Sequence, residues 1–276
     1  MNNPLIIADA HVHLYSCFNL EHLLDLTFNN FQREIKAPLA EPDFSGVLFL
    51  AETKAEKGFQ RISNSAEKGP SQAGEFGEWT FWPTQENFSF YARSNQNGTK
   101  GLYIIAGRQI TTAESLEILA LGTIQEFEER KPLEELIPLI SQSGAIPVVP
   151  WGVGKWIGRR GALIKDFLKR KDLPFFFLGD NRNRPIFWRR PNIFKMAGEK
   201  GINILPGSDP LPFPSETNRI GRFGFKVSGS IDPDYPFRDL KKLLLVPTTR
   251  PQAYGSQENP FRFFWNQCRV TLKIFS

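Results

Sequence analysis

The sequence predicts an α/β protein folded as a single irregular barrel of the (β/α)7 type. Short apolar runs of strand length alternate with segments whose apolar residues recur at helical spacing, most regularly in the second half. Some runs, such as 175–178, are apolar at consecutive positions, which suits strands buried on both faces. Polar residues recur where the runs end: His11, His13, Glu52, Gln109, Trp151, Asp180, Asn181 and Asp209. Strand–helix–strand units give parallel strands with right-handed crossovers. About seven of them close most economically into a barrel, with the chemistry at the strands' C-terminal ends.

The elements follow in order. The apolar run from Leu5 leads through Asp9 to His11 and His13 as a first strand. In 19–35, Leu20, Leu23, Leu24 and Phe31 have helical spacing, Asn19 is a suitable N-cap, and Glu21 sits in the first turn, where a carboxylate is favoured. His22 lies on this helix as a surface residue. Residues 46–53 read as a second strand carrying Glu52 at its end. Residues 54–78 are polar and rich in Gly, Ser, Lys and Glu, and are expected as a long loop with at most a short helix, a natural lid. Segments 80–93 and 101–110 read as strands joined through Asn97-Gly98, a strong hairpin signal. A further strand is expected at 116–121, with helix as the alternative. The helix 132–142 starts with Pro132 and stops at Gly144. Then come a strand at 145–149, a helix at 160–171, a strand at 174–178, a helix at 193–200, and a strand at 202–205 that runs into Gly207-Ser208-Asp209. With no internal repeat and no linker, residues 1–276 are expected to form one domain, with 232–276 an extension packing on the barrel.

Hydrophobic content of 41% and charged content of 23% belong to a soluble globular protein. No stretch approaches the roughly eighteen apolar residues of a membrane span. The start, Met1-Asn2-Asn3-Pro4, lacks the basic and apolar regions of a signal peptide, so a cytoplasmic protein is expected. Cys17 and Cys268 are too few for a disulfide framework and match no zinc or redox spacing. The net charge of +5 is unevenly spread: Lys155, Arg159, Arg160, Lys165, Lys169, Arg170 and Lys171 are followed by Arg182, Arg184, Arg189, Arg190 and Lys195. This stretch reads either as solvated helix faces or as a basic rim that attracts an anionic substrate such as a phosphate ester. Nucleic acid stays open as a partner, although no recognised binding motif accompanies the charge.

Of the three histidines, two stand one residue apart at the end of the first strand. Residues two apart on a strand share a face, so both imidazoles can aim at one point. Imidazole is a common donor to zinc, manganese and iron, and in its neutral form approaches a cation without charge penalty. Asp9, one step earlier on the same face, is a further ligand or an orienting partner. Asp209 closes the late turn as ligand or as turn cap. Two imidazoles and a carboxylate suffice for one divalent ion, which lowers the pKa of bound water and polarises a phosphoryl or carbonyl oxygen. Asp180 and Glu52 are the candidate general bases. Arg108 and Arg182 are candidates for pairing with an anionic group, and Trp151 for a pocket wall or core residue.

The Asp-x-His-x-His opening, the segment 105–112 running into 117–121, and Gly207-Ser208-Asp209 together resemble the polymerase and histidinol phosphatase (PHP) family, from about residue 5 to about residue 230. The wider amidohydrolase barrels share the histidine pair and a late aspartate. The resemblance implies a distorted seven-stranded β/α barrel with up to three divalent metals at the strand ends, hydrolysing phosphate esters. It assigns His11 and His13 to the opening metal pair and Asp209 to the late aspartate. Gln109 stands where the family usually has a bridging glutamate. No histidine follows His22; Pro150-Trp151-Gly152 falls where a His-Pro-Gly type segment is expected, and Pro210 follows Asp209 where Ala-His is typical. The implied site is therefore reduced, holding about one ion (Zn, Mn or Fe). The implied protein is either a metal-dependent phosphoesterase or a PHP-like barrel that has lost catalysis and serves as a binding or scaffold protein.

Overall fold

The chain opens with β1 (Leu5–Val12), an almost wholly buried strand that pairs in parallel with β2 (Phe44–Leu50). The computed structural model describes residues 4–36, 44–68, 76–95 and 101–272. Between these strands lies α1 (Leu20–Ile35), capped as its sequence suggests by the Asn19 side chain, which accepts from the His22 N–H at 2.9 Å. Next come α2 (Gly58–Lys68), β3 (Trp79–Pro83), β4 (Ser89–Ser94), β5 (Gly101–Ile105), β6 (Gly107–Thr111) and β7 (Glu117–Leu121). The second half adds α3 (Leu133–Gln142), β8 (Ile146–Pro150), α4 (Gly158–Lys169), β9 (Phe177–Asn181), α5 (Asn192–Glu199) and β10 (Ile204–Gly207). After a short 3-10 turn the chain finishes with β11 (Phe223–Ser228), α6 (Pro236–Leu245), β12 (Gln252–Gly255) and α7 (Pro260–Thr271).

The single closed barrel is not what forms. The strands make two mixed sheets, one of seven in the order β12-β11-β1-β2-β5-β4-β3 and one of five in the order β10-β9-β8-β7-β6. The reason lies between β5 and β6. Only Ala106 separates them, yet β5 pairs with β2 and β4 while β6 pairs with β7, so the chain changes sheet there without a crossover helix. β6, β7 and β8 then run antiparallel in succession, and only β8, β9 and β10 keep the parallel arrangement expected of the second half.

Three apolar clusters order the layers. One lies between the sheets, where Ala8, Val47, Phe49 and Ile105 meet Leu119, Leu121, Val148 and Phe177. A second buries α1 and α2 on the seven-stranded sheet through Leu23, Phe31, Leu48 and Ile62. A third buries α3, α4 and α5 on the five-stranded sheet through Ile137, Ile164, Leu178 and Phe194. Sheets covered on both faces explain the near-continuous apolar strands.

Segment 54–78, expected as a long loop, carries the 11-residue α2, whose Phe59 and Ile62 are buried; residues 69–75 lie outside the described ones. The strand expected at 80–93 is two strands, β3 and β4, that pair antiparallel across 84–88. The Asn97-Gly98 turn lies outside the described residues, but β4 and β5 on either side of it pair antiparallel. The C-terminal segment is woven into the core: Phe237, Leu240 and Leu244 of α6 belong to the cluster between the sheets, and β12 extends the seven-stranded sheet. No helix among the described residues is long and apolar enough to cross a membrane.

A candidate metal centre between the two sheets

Although they belong to different sheets, β1 and β10 end side by side. The Asp209 N–H donates to the His11 carbonyl at 2.8 Å, and the Ser208 N–H donates to Asp9 Oδ1 at 2.8 Å. Gly207 makes this approach possible, because a Cβ there would lie 2.4 Å from the His11 backbone nitrogen. Asp209 itself adopts the left-handed region (φ 45°), which Asp tolerates better than most residues. A second junction brings in β6. The Glu52 N–H donates to Gly107 O, and the Gln109 N–H donates to Glu52 O at 2.9 Å.

Four side-chain atoms converge there. His11 Nε2 is 3.1 Å from His13 Nε2 and 3.0 Å from Gln109 Oε1. Asp209 Oδ1 lies 3.5 Å from the first imidazole nitrogen and 3.7 Å from the second. Ligand atoms of the His11, His13 and Asp209 group all fall within 4.8 Å of one another. Tetrahedral zinc with bonds of about 2.0–2.1 Å sets its ligand atoms about 3.3 Å apart, so the spacing and the N/O donor set both fit a single divalent ion.

The supporting shell is equally specific. Glu56, in the turn before α2, accepts at 2.8 Å from His13 Nδ1, which leaves Nε2 free to face the cluster. Asp209 Oδ2 accepts from Asn181 Nδ2 at 2.7 Å, and Asn183 Nδ2 donates to the Asp209 carbonyl at 2.6 Å. Tyr15 stacks on His13 with ring centroids 5.2 Å apart. Burial holds His11 below its ordinary pKa despite the charge of Asp209. Burial also opposes charge on His13, but the carboxylates of Glu56, Asp209 and Glu117 together outweigh it and lift that imidazole above the ordinary value. Burial lifts the Tyr15 hydroxyl far above its usual range, so it stays protonated. Lys155 pairs with Glu117, whose negative charge reaches His11, His13 and Tyr15.

The other sequence candidates lie elsewhere. Asp9 does not share the histidines' face. β1 slips register between Asp9 and Val12, so Ile7 and Val12, of opposite parity, pack in the same cluster under α1. Asp9 is fully buried and accepts from the backbone N–H groups of His11, Ser208 and Gly221, an orienting contact to the metal candidates. The Glu52 carboxylate accepts from the Phe59 N–H at 2.6 Å at the start of α2 and pairs with Arg108 at 3.1 Å. Arg108 is further engaged by Glu126 and the Ile124 carbonyl. Asp180 points to the opposite face of β9 from Asn181 and is held by Arg184 through two hydrogen bonds of 2.9 and 2.7 Å. The Trp151 ring packs edge-on to Trp188 in the outer core; what it gives the site is its carbonyl, which accepts from Asn181 at 2.8 Å. Arg182 lines a shallow surface pocket with Arg222 and Arg33, and burial depresses its pKa to about 10.

The sequence does not single out Glu56, Asn183, Tyr15 or Glu117. Asn181 was signalled only as a neighbour of Asp180, and Glu56 only by its place beyond the end of the second strand.

No family model matches the chain, and no curated protein matches it. Among solved structures it is similar to PsfC from Pseudomonas syringae PB-5123, with a TM-score of 0.55 and 16% identity over 99% of this chain and 100% of that one. The likeness is one of fold. Weaker similarities are found to the lesion-specific endonuclease PfuEndoQ from Pyrococcus furiosus (TM-score 0.48, 12% identity, 90% of this chain and 57% of that one). They extend to an Endonuclease Q complex with a 27-mer duplex carrying an abasic lesion (TM-score 0.45, 13% identity, 98% and 67%). At those scores neither bears on the reading of this site.

Proposed function

We propose that this chain is a metal-dependent hydrolase of the phosphoesterase type, related to the PHP family, with a reduced site for one divalent ion. The observation that carries the reading is the convergence of His11 Nε2, His13 Nε2 and Asp209 Oδ1, with Gln109 Oε1 beside them. A bound Zn, Mn or Fe ion supplies Lewis acidity toward a phosphoryl oxygen. His11, His13 and Asp209 hold it, and the neutral amide of Gln109 adds a donor without the negative charge that a second ion would need. Glu56 keeps His13 in the tautomer whose Nε2 accepts a metal. Asn181 fixes the Asp209 carboxylate, and Asn183 fixes its backbone carbonyl. Lys155, paired with Glu117, is the cation placed to meet an anionic substrate, and Glu117 is the rim carboxylate for proton transfer.

A second reading, a non-catalytic binding protein on the same fold, draws on one observation. Glu52 and Asp180, the expected general bases, are both committed to structural partners away from the cluster. Elemental analysis and a phosphomonoester assay separate the two. Protein prepared without chelator is expected to carry about one divalent ion per chain and to hydrolyse p-nitrophenyl phosphate. The His11→Ala/His13→Ala variant should lose both while retaining its circular dichroism. Metal without turnover would favour the binding protein. No stoichiometric ion after titration with zinc and with manganese would overturn the metal reading.

A further inference from the structure

The basic run of the sequence borders a cavity that lies away from the metal candidates. A cleft of about 570 Å³ lies between β10, the edge strand of one sheet, and β12, the edge strand of the other, with α5 on its flank. That volume is within the range of small-molecule sites. Arg184, Arg190 and Arg250 line it against a single carboxylate, Asp180. Arg184 and Asp180 are both buried and satisfy each other in a bidentate pair. This leaves Arg190 and Arg250 without an ion pair of their own among the described residues, although the Arg190 charge reaches Asp180. The Arg190 guanidinium has no hydrogen bond or ion pair among the described residues; it lies over the Phe194 ring at 5.4 Å. Arg250 uses Nη1 on the carbonyls of Pro247 and Thr249. Phe194 and Phe223 provide apolar wall.

Two guanidiniums with spare donors, in a concave site floored by a neutral pair, suit a tetrahedral oxyanion taken in fork geometry. We propose that this cleft is a second, separate binding site for a small phosphate-bearing molecule. It is independent of the metal candidates: Asp180 faces the cleft while its neighbour Asn181 turns to Asp209 on the other face of β9.

Isothermal titration calorimetry with EDTA present, using inorganic phosphate and adenosine 5′-monophosphate as probes, tests the site. One saturable site is expected for at least one probe. Its affinity should fall about tenfold or more in Arg190→Ala/Arg250→Ala, recover in part in Arg190→Lys/Arg250→Lys, and stay unchanged in His11→Ala/His13→Ala. Preference for the nucleotide marks a nucleoside phosphate, and equal affinity marks the phosphate group alone; both sustain the site. Arg190 and Arg250 are surface-exposed, so circular dichroism of their variants should match the parent. The proposal is overturned by binding that survives loss of the arginines, by binding lost with the histidines, or by no saturable binding of either probe up to about 10 mM.

Discussion

Three backbone amides donate to the Asp9 carboxylate, yet burial still lifts its pKa from 3.8 to about 6. Desolvation of the charge outweighs the hydrogen bonds that favour it. The folded protein therefore binds this proton more tightly than the unfolded chain does. The sign follows: this group's contribution is fullest below the unfolded value, declines as pH rises from about 4 to about 6, and is flat above. A carboxyl carbon titration by NMR should place the Asp9 midpoint near 6; a midpoint at or below 4 would show the amides winning. Asp9→Ala strands the N–H groups of His11, Ser208 and Gly221 and should destabilise the fold by about 3 kcal/mol or more in urea unfolding. The histidine pair was legible in the sequence because imidazoles are scarce and two apart, and Asp209 because a Gly-Ser-Asp turn ends an apolar run. The choice between Asp180 and Asn181 was not, since it depends on strand phase. A strand placed at 174–178 leaves open which of the two faces the site, whereas β9 (Phe177–Asn181) settles it in favour of the asparagine.

Elements bring the site together through close approaches that the sequence shows only as a glycine or a charge. Gly207 lets β10 lie against the end of β1, where an added Cβ would meet backbone at 2.4 and 2.9 Å, atoms that cannot rotate away. Gly207→Ala is expected to push Asp209 from the histidines and weaken zinc binding by about tenfold or more, read by chelator competition, with secondary structure kept. An unchanged zinc affinity would mean that the β1–β10 contact is soft. The 3-10 turn after β10 and helix α7 are fastened by buried charge: Arg219 lies against Glu258 and 3.1 Å from Glu216, which Arg262 of α7 reaches at 3.0 Å. Neither residue stands out in the sequence, because the pairing joins segments some forty residues apart. Arg219→Ala leaves the buried Glu216 and Glu258 with only the half-buried Arg262 to share between them and should cost about 3 kcal/mol. Arg219→Lys should recover part of it. Helix α2 runs longer than the short helix the sequence allows for, because its polar surface outweighs an apolar stripe of only Phe59 and Ile62.

At the scale of the molecule, alternation and apolar content specified layered α/β packing, but not which strand edges would bond. Two sheets and a barrel bury similar strands with similar patterns; hydrogen-bond partners across edges decide between them, and these leave no local trace. The change of sheet at Ala106 is the clearest case, since 101–110 reads as one unbroken strand. The core between the sheets then needs a plug, and α6 provides it. Phe237 packs edge-on to Phe49 and Phe88, at centroid distances of 6.4 and 5.4 Å, and its ring occupies the space where a Cβ on Gly122 would stand. Glu86 fixes the start of the helix by accepting from the N–H groups of Phe237 and Arg238 at 3.0 and 2.8 Å. Contacts therefore tie one segment to strands of both sheets. Phe237→Ala should open a cavity between the sheets and lower unfolding stability by about 3–5 kcal/mol. Phe237→Leu should cost less, because it refills part of that volume. Zinc affinity measured well below the unfolding transition should be unchanged in both, since the metal candidates are held by β1, β6 and β10 and not by α6. A stability loss under about 1 kcal/mol for the alanine variant would mean that α6 merely covers the sheets and that the two of them hold together without it.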